Sequence, residues 1–326
     1  MERVNNKKVL YNVLLKYKTL IAFLVLFAIA SIVYDGFLTS VNMFNFLRQS
    51  SFEGILAISM TYVILTGCVD LSVGAITALS CVLTACFINI LGENVPFFVP
   101  LVIVLAIGAV FGLLNGVLVA RLKIPAFIAT FAVMMIARGI NYVISDSKPV
   151  SIKYLSSAFV GITTKSFLFI PVPAWILIIF VIISALISKY SGYGRKIYAV
   201  GGNSESAFMM GVNETRIRIS VFLINGISSG FVGYLLASRL QTGMSTACNG
   251  WEMNAIAAVA VGGTQLAGGR GSFWGTLIGV YLIQTISSMI NLQGNLDAWW
   301  QTIITGMILL AVAVVQVKLD NKKIKL

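Results

Sequence analysis

From Pro96 to Ala120 the chain runs twenty-five residues without a single charge. A helix needs about 20 apolar residues to cross a hydrocarbon core of about 30 Å, so a run of this kind leaves few folds open. Similar runs recur along the whole chain, which is 58% hydrophobic and 10% charged with a mean hydropathy of +0.94. A soluble domain carries about a quarter charged residues. The runs are long and continuous, whereas barrel strands alternate in segments of about ten residues. The expected fold class is therefore an all-α polytopic membrane protein with about ten transmembrane helices.

Spans are expected at Thr19–Leu38, Ser51–Thr66, Leu71–Leu91, a fourth ending near Ala120, Pro125–Ile144, Val172–Ser188, Ile219–Ser238, Glu252–Leu266, Ser272–Ile290 and Trp299–Val317. This gives an N-terminal tail (1–18), one transmembrane domain (19–317) holding a large loop (189–218), and a basic tail (318–326). Residues 39–50 read as an amphipathic surface segment, and residues 145–171 as a polar loop. The eighth span is weak and rich in alanine, glycine and valine. With the ninth it could instead form a re-entrant pair. Ala28-Ile29-Ala30 imitates a signal-peptide cleavage site. The run continues through Ile32 and Val33 to Leu38, so an uncleaved first span is expected.

The net charge of +12 tests the topology. With the N-terminus inside, the inner loops and tails hold 17 basic residues against 5 acidic, and the outer ones 5 against 6. Such a bias is the positive-inside signature. It places both termini and the loop 189–218 in the cytoplasm, and it accounts for the basic charge without nucleic acid. The chain has no histidine, which excludes imidazole catalysis. Cys68, Cys81, Cys86 and Cys248 lack a metal-ligand spacing and read as small packing residues. No metal or cofactor is expected.

All eleven acids fall in loops or at expected span ends, whereas ion-coupled carriers usually carry ionisable groups inside the membrane. The chain also lacks GxxxxGK[ST], the loop that cradles nucleotide phosphates. A pump built on it would draw energy from another subunit. The loop Ser191–Ile217 suggests how. Gly201 and Gly202 let the backbone turn, Asn203 or Ser204 can cap a two-turn helix, Glu205 suits its positive end, and Gly211 suits its stop. Phe208, Met209 and Met210 are a large apolar load there. Each would gain about 1.5–3 kcal/mol on burial. The helix either docks into a partner or folds back on its own membrane domain.

Arg138 is the one charge expected inside a span. It either snorkels to the outer interface or pairs with Glu53, or it lines a polar pathway, and Asn141, one turn further out, can belong to either arrangement. Gly67–Gly74 and Ala255–Gly275 are rich in small residues. They serve close helix packing or form hinges of a gate, with Gly67, Asp70, Ser72, Gly74, Gly262, Gly263, Gly268 and Gly269 as candidates. Asp70 is expected to cap the third span, with Ser72 as the alternative.

Three stretches carry a resemblance: ILTGCVDLSVGAITAL (Ile64–Leu79), GRKIYAVGGNSESAFMMGVN (Gly194–Asn213) and AIAAVAVGGTQLAGGRGSFWGTLIG (Ala255–Gly279). Together the chain resembles the permease subunits of bacterial ATP-binding-cassette importers for monosaccharides, the ribose-permease type. Cys68, Ser206, Val212 and Gln265 depart from that pattern. The resemblance implies a fold like that of the vitamin B12 importer permease. It implies a second permease copy, separate ATP-binding subunits and an extracytoplasmic sugar-binding protein as partners in the inner membrane. It also implies that the helix after Asn203 couples to the ATPase through Ser204, Glu205, Ala207, Phe208, Met209, Met210 and Gly211. The solute would be a pentose or hexose, with a polyol, a sugar-derived signal or a nucleoside as alternatives. A self-sufficient secondary carrier is the reading from a different class.

Overall fold

The computed structural model describes residues 18–93, 96–294, 297 and 299–324. The basic N-terminal tail and the side chains of the basic C-terminal tail lie outside the described residues. The described residues form thirteen helices: α1 Lys18–Val33, α2 Ser40–Leu65, α3 Val73–Leu91, α4 Phe98–Ala120, α5 Ala126–Ser145, α6 Ser157–Thr164, α7 Val172–Tyr190, α8 Gly192–Gly202, α9 Ser204–Met209, α10 Glu214–Leu240, α11 Trp251–Val261, α12 Phe273–Gln293 and α13 Trp299–Ile324. Four two-residue strands make two small antiparallel pairs: β1 (Val150–Ser151) with β4 (Thr242–Gly243), and β2 (Ser166–Phe167) with β3 (Ile170–Pro171). Six helices, α3, α4, α5, α7, α10 and α12, are long and apolar enough to cross a membrane.

In lipid, helices gain little by hiding apolar surface from each other, so close packing and hydrogen bonds must hold them. The α4–α10 pair shows how. Gly108, Gly112 and Gly116 form a stripe on α4, the first two facing Gly226 on α10 and the third facing Ile219. A Cβ at Gly108 would overlap the Gly226 carbonyl oxygen, and one at Gly226 would overlap that of Gly108. The two backbones therefore touch. From Ser50 to Leu65 every residue of α2 is buried, as are most of α3 and the outer half of α10. These helices make the interior, with α7, α11 and α12 packed against α2.

Loops collect at two opposite ends. At one end β1 pairs with β4, Asn89 donates to the Ser151 carbonyl, and Arg48 donates to that of Thr164. At the other, the α2–α3, α8–α9 and α11–α12 connections meet.

Several expected boundaries change. Residues 39–50 are not a separate surface segment. They begin α2, a single helix of 26 residues capped by Thr39, whose polar side chains Asn42, Asn45 and Gln49 line an open pocket. Residues 145–171 hold α6 and three strands, not a plain loop. Gly201 and Gly202 do not turn freely, because they form the last turn of the unexpected helix α8. The eighth span is a helix of only eleven residues, about 16 Å long, too short to cross alone. Its lead-in supplies the rest. Gly243 lies against Val82 and the Cys248 carbonyl lies against Gly74, so the segment descends along α3 before α11 begins. α11 ends at the opposite loop cluster, so the lead-in and α11 together run from one end of the bundle to the other. Non-helical backbone at such depth is tolerable where protein encloses it.

Candidate functional site

The end of the molecule bearing α9 holds most of the residues singled out in the sequence. Asn203 is the cap of α9, accepting from the Ser206 amide at 2.8 Å. Glu205 sits in the first turn. Gly211 adopts a left-handed φ of +78°, and its amide donates to the Phe208 carbonyl at 2.9 Å, closing the helix. Ala207 is fully buried and anchors the helix inward. Ser204 is half-buried and Glu205 exposed. Phe208, Met209 and Met210 are 73%, 79% and 71% exposed, so the apolar face is not folded back on the chain's own bundle. A two-turn helix cannot stand alone. This one is held between α8 and α10, whose start is capped by Asn213 accepting from the Arg216 amide at 2.9 Å.

α8 braces the arrangement. Tyr198 donates to the Gly271 carbonyl at 3.1 Å and lies 3.0 Å from the Ser188 hydroxyl, while Tyr193 pairs with Ser220 at 2.7 Å. Burial holds the Tyr193 hydroxyl above its usual pKa, so it stays a neutral donor. Where α8 ends, three backbones converge. A Cβ at Gly201 would overlap the Leu65 carbonyl oxygen, and the Gly269 amide donates to that same oxygen at 3.0 Å. Gly67, Gly268 and Gly269 all adopt left-handed φ here, +75°, +91° and +73°. A groove of about 920 Å³ opens beside α9, lined by Cys68, Lys123, Phe208, Glu214 and Arg218. Arg218 pairs with Glu214 at 2.9 Å.

The remaining hinge candidates do not join this cluster. Gly262 packs against Gly275 at the start of α12, and Gly263 takes a left-handed φ of +92°. Gly74 lies deeper, against Glu252 and the Cys248 carbonyl. Asp70 does not cap α3. It is fully buried, and its Oδ1 accepts from the Ser72 amide at 2.9 Å and hydroxyl at 2.6 Å. Asn225 donates to its Oδ2 at 2.9 Å and Asn115 reaches Oδ1 at 3.4 Å. Ser72 occupies the cap position but makes no capping bond. The connector turns inward after Gly67, which carries the carboxylate away from the helix start and into the bundle. Asn115, Asn225 and Ser59 were missed by sequence reading. Asn115 and Asn225 each stand alone in a short apolar run, and that is the signal which could have found them.

Two further expectations are corrected. Arg138 does not pair with Glu53. It donates to Asn249 and lies 3.8 Å from Glu252, because the lead-in to α11 runs beside α5. Asn141, one turn on and fully buried, donates to the Ser245 carbonyl at 3.1 Å. Nor are all acids peripheral. Glu53 sits mid-way along α2, held by Gln49 at 3.0 Å and Asn254 at 3.4 Å, and Glu53, Asp70 and Glu252 are all buried. Among the described residues no three His, Cys, Asp or Glu side chains converge as a metal site would require. The four cysteines are free, three of them buried.

Comparison with known proteins covers most of the chain. A family model described as "Branched-chain amino acid transport system / permease component" matches residues 42–313. The chain is 37% identical over 313 residues to ribose import permease protein RbsC of Haemophilus influenzae, covering 95% of this chain and 96% of that protein. It is 39% identical over 300 residues to RbsC of Bacillus subtilis, covering 92% and 90%. It is 33% identical over 307 residues to the L-arabinose transport system permease protein AraH of Escherichia coli K12, covering 92% and 89%. No solved structure matches it. With that coverage and its multi-pass architecture, the chain belongs to the family of branched-chain amino acid transport system permease components, as a multi-pass inner-membrane permease of the ribose-permease type.

Proposed function

We propose that the chain is the membrane-spanning permease subunit of an ATP-driven importer. It forms the path for a monosaccharide, a pentose or hexose, delivered by an extracytoplasmic binding protein. The relatives named for ribose and L-arabinose support the solute class. The missing phosphate loop supports ATP hydrolysis on a separate subunit. The observation that carries the reading is the exposed apolar face of α9, Phe208 to Met210, on a helix capped at both ends. It fits a cleft on an ATPase subunit. Motion there would pass through α8 and the Gly67–Gly201–Gly268 contact to the ends of α2 and α11, which makes these glycines the gate candidates.

Counting α11 with its lead-in as one crossing gives ten, an even number, so the start of α1 and the end of α13 share the α9 side. Basic residues of the inner set, Lys123, Arg216 and Arg218 among them, lie at that end. This fits cytoplasmic termini, a fold like that of the vitamin B12 importer permease, and a second permease copy completing the path. The buried acids Glu53, Asp70 and Glu252 remove one objection to a self-sufficient carrier. The exposed α9 face still speaks against it. Uptake into vesicles with ion gradients collapsed and ATP inside separates the two. ATP-dependent sugar uptake requiring the ATPase subunit is expected, and uptake by this chain alone without ATP would sink the importer reading.

A further inference from the structure

An apolar hairpin projects from the end of the bundle away from α9. β2 and β3 pair with Phe167 opposite Ile170, which leaves Leu168 and Phe169 as a two-residue turn. Phe167, Leu168 and Phe169 are 63%, 66% and 92% exposed. Leu168 and Phe169 both hold left-handed backbone, with φ of +50° and +59°. A two-residue turn with positive φ at both positions favours Asn-Gly, because larger side chains resist that region. Here two bulky apolar residues occupy it, and they gain no burial within the chain. Strain of this kind marks places where the exposed group is used.

The hairpin is fastened to α7. Trp175 Nε1 donates to the Phe167 carbonyl at 3.0 Å, and the two rings lie edge to face with centroids 6.3 Å apart. The Val172 amide donates to the Lys165 carbonyl at 3.2 Å and closes the base. Trp175 heads a stripe on one face of α7 that continues through Ile179, Ile182, Ile183 and Leu186, all four exposed. At the far end of α7 the Lys189 ammonium lies 5.1 Å from the centre of the exposed Tyr190 ring. A cation and an aromatic of this kind mark a membrane–water boundary. The 19 residues of α7 span about 28 Å, close to a hydrocarbon core of about 30 Å. The second boundary therefore falls at the start of α7, level with the hairpin.

We infer that the Phe167–Phe169 hairpin inserts into the bilayer leaflet on the side away from α9, at the boundary of headgroups and acyl chains, with Lys165 facing a lipid phosphate. The tip continues the apolar stripe of α7, and from Ser166 to Ser188 the chain carries no charge. A docking face for a soluble protein has a polar rim around its apolar centre, whereas this tip runs directly into a membrane helix. Lys165 is exposed, and among the described residues no carboxylate lies within 4 Å of its ammonium. Aromatic residues flanked by a lysine whose stem lies along apolar surface make an interfacial anchor. The inference needs only the multi-pass architecture and is independent of the solute and of the ATPase.

The test uses the full chain in vesicles of phosphatidylethanolamine and phosphatidylglycerol, with a nitroxide on Phe169→Cys. Of the native cysteines three are buried and Cys86 is half-buried, and wild type treated with the label supplies the background. Lys148→Cys, in an exposed turn, is the water reference, and Ile183→Cys, on the α7 stripe, the lipid reference. Collisions with oxygen, which enters lipid, and with a water-soluble nickel chelate are read by electron paramagnetic resonance. The label at 169 is expected to meet the chelate several-fold less than the label at 148, and oxygen nearly as often as the label at 183. Leu168→Cys gives the same reading if Phe169→Cys fails to assemble. Adding Lys165→Glu is expected to raise chelate access at that label, and unchanged access would overturn the phosphate contact. Chelate access equal to that at 148 would overturn the insertion. Shielding from both oxygen and chelate would overturn the lipid occupant and assign the hairpin to a protein contact. None of these readings involves transport, so their failure leaves the importer reading intact.

Discussion

Asn225 in the middle of α10 donates to Asp70 Oδ2 at 2.9 Å and accepts from the Ser59 hydroxyl at 2.7 Å. Asp70, Asn225 and Ser59 are all fully buried, as are Ser72 and Asn115. One carboxylate thus joins the α2–α3 connector to α4 and α10, and through Asn225 to α2. Asp70→Val would leave the donors of Ser72, Asn115 and Asn225 facing an apolar side chain. The expected loss is about 3 kcal/mol or more, from unpaired buried donors at about 1–3 kcal/mol each. Thermal unfolding of the purified chain in detergent would show it as a clear drop in Tm. A melt equal to wild type, with transport lost, would instead assign Asp70 to gating.

Gly226→Val should separate α4 from α10, because an added Cβ overlaps the Gly108 carbonyl oxygen and lies 2.8 Å from Gly112. Backbone atoms cannot swing aside as side chains do, and overpacking costs about 1–3 kcal/mol or more. Gly139→Ala, where nothing lies within 4 Å of an added Cβ, should be neutral. Comparing the two in the same melting assay isolates the contact from any general intolerance of larger residues.

Gly201→Ala is expected to spare α8 as a helix but push it from the α2 end, since its methyl would overlap the Leu65 carbonyl oxygen. The Gly269–Leu65 hydrogen bond at 3.0 Å shares that oxygen. Limited proteolysis of the α8–α9 segment should accelerate while the remaining bundle stays resistant. Unchanged cleavage would show that the contact is slack.

Phe208→Asp replaces an exposed ring and breaks no internal contact of the core. Its melting temperature should match wild type, whereas retention of the ATPase subunit on a tagged permease should fall at least about ten-fold, a hot-spot loss of over 1.4 kcal/mol. Full retention with normal uptake would reduce α9 to a loop helix.

Arg138 and Glu252 are 16% and 10% exposed at 3.8 Å. A double-mutant cycle with Arg138→Met and Glu252→Gln should give a coupling of about 1 kcal/mol or more, read from Tm. Additive effects would mean that Asn249 alone holds the arginine.

Much of this was legible beforehand, for identifiable reasons. The caps at Asn203 and Gly211 are local: they depend on residues three or four apart, so spacing reveals them. Asn225 and Asp70 are 155 residues apart, and no local rule links them. Residues 39–50 misled for the same reason. Asn42, Asn45 and Gln49 line a pocket shared with α12 and α13, and a pocket is a property of packed neighbours. The absence of intramembrane acids was inferred from position along the chain. Depth is set by how far a connector dives, and those at Cys68–Ser72 and Met244–Gly250 dive into the bundle.

By itself the sequence determined that the chain is a bundle of membrane helices, which segments share an end, and where a capped apolar helix interrupts them. Each follows from composition, charge bias or spacing within a few residues. The tertiary structure alone decided which glycines touch, which acids are interior, that the eighth expected span is a short helix with a non-helical lead-in, and that amides from distant helices face one cavity. The physical reason is that lipid gives helices no hydrophobic drive toward one another, so their arrangement rests on close backbone contact and buried hydrogen bonds. Those contacts join residues far apart in the chain, and only the folded bundle brings them together.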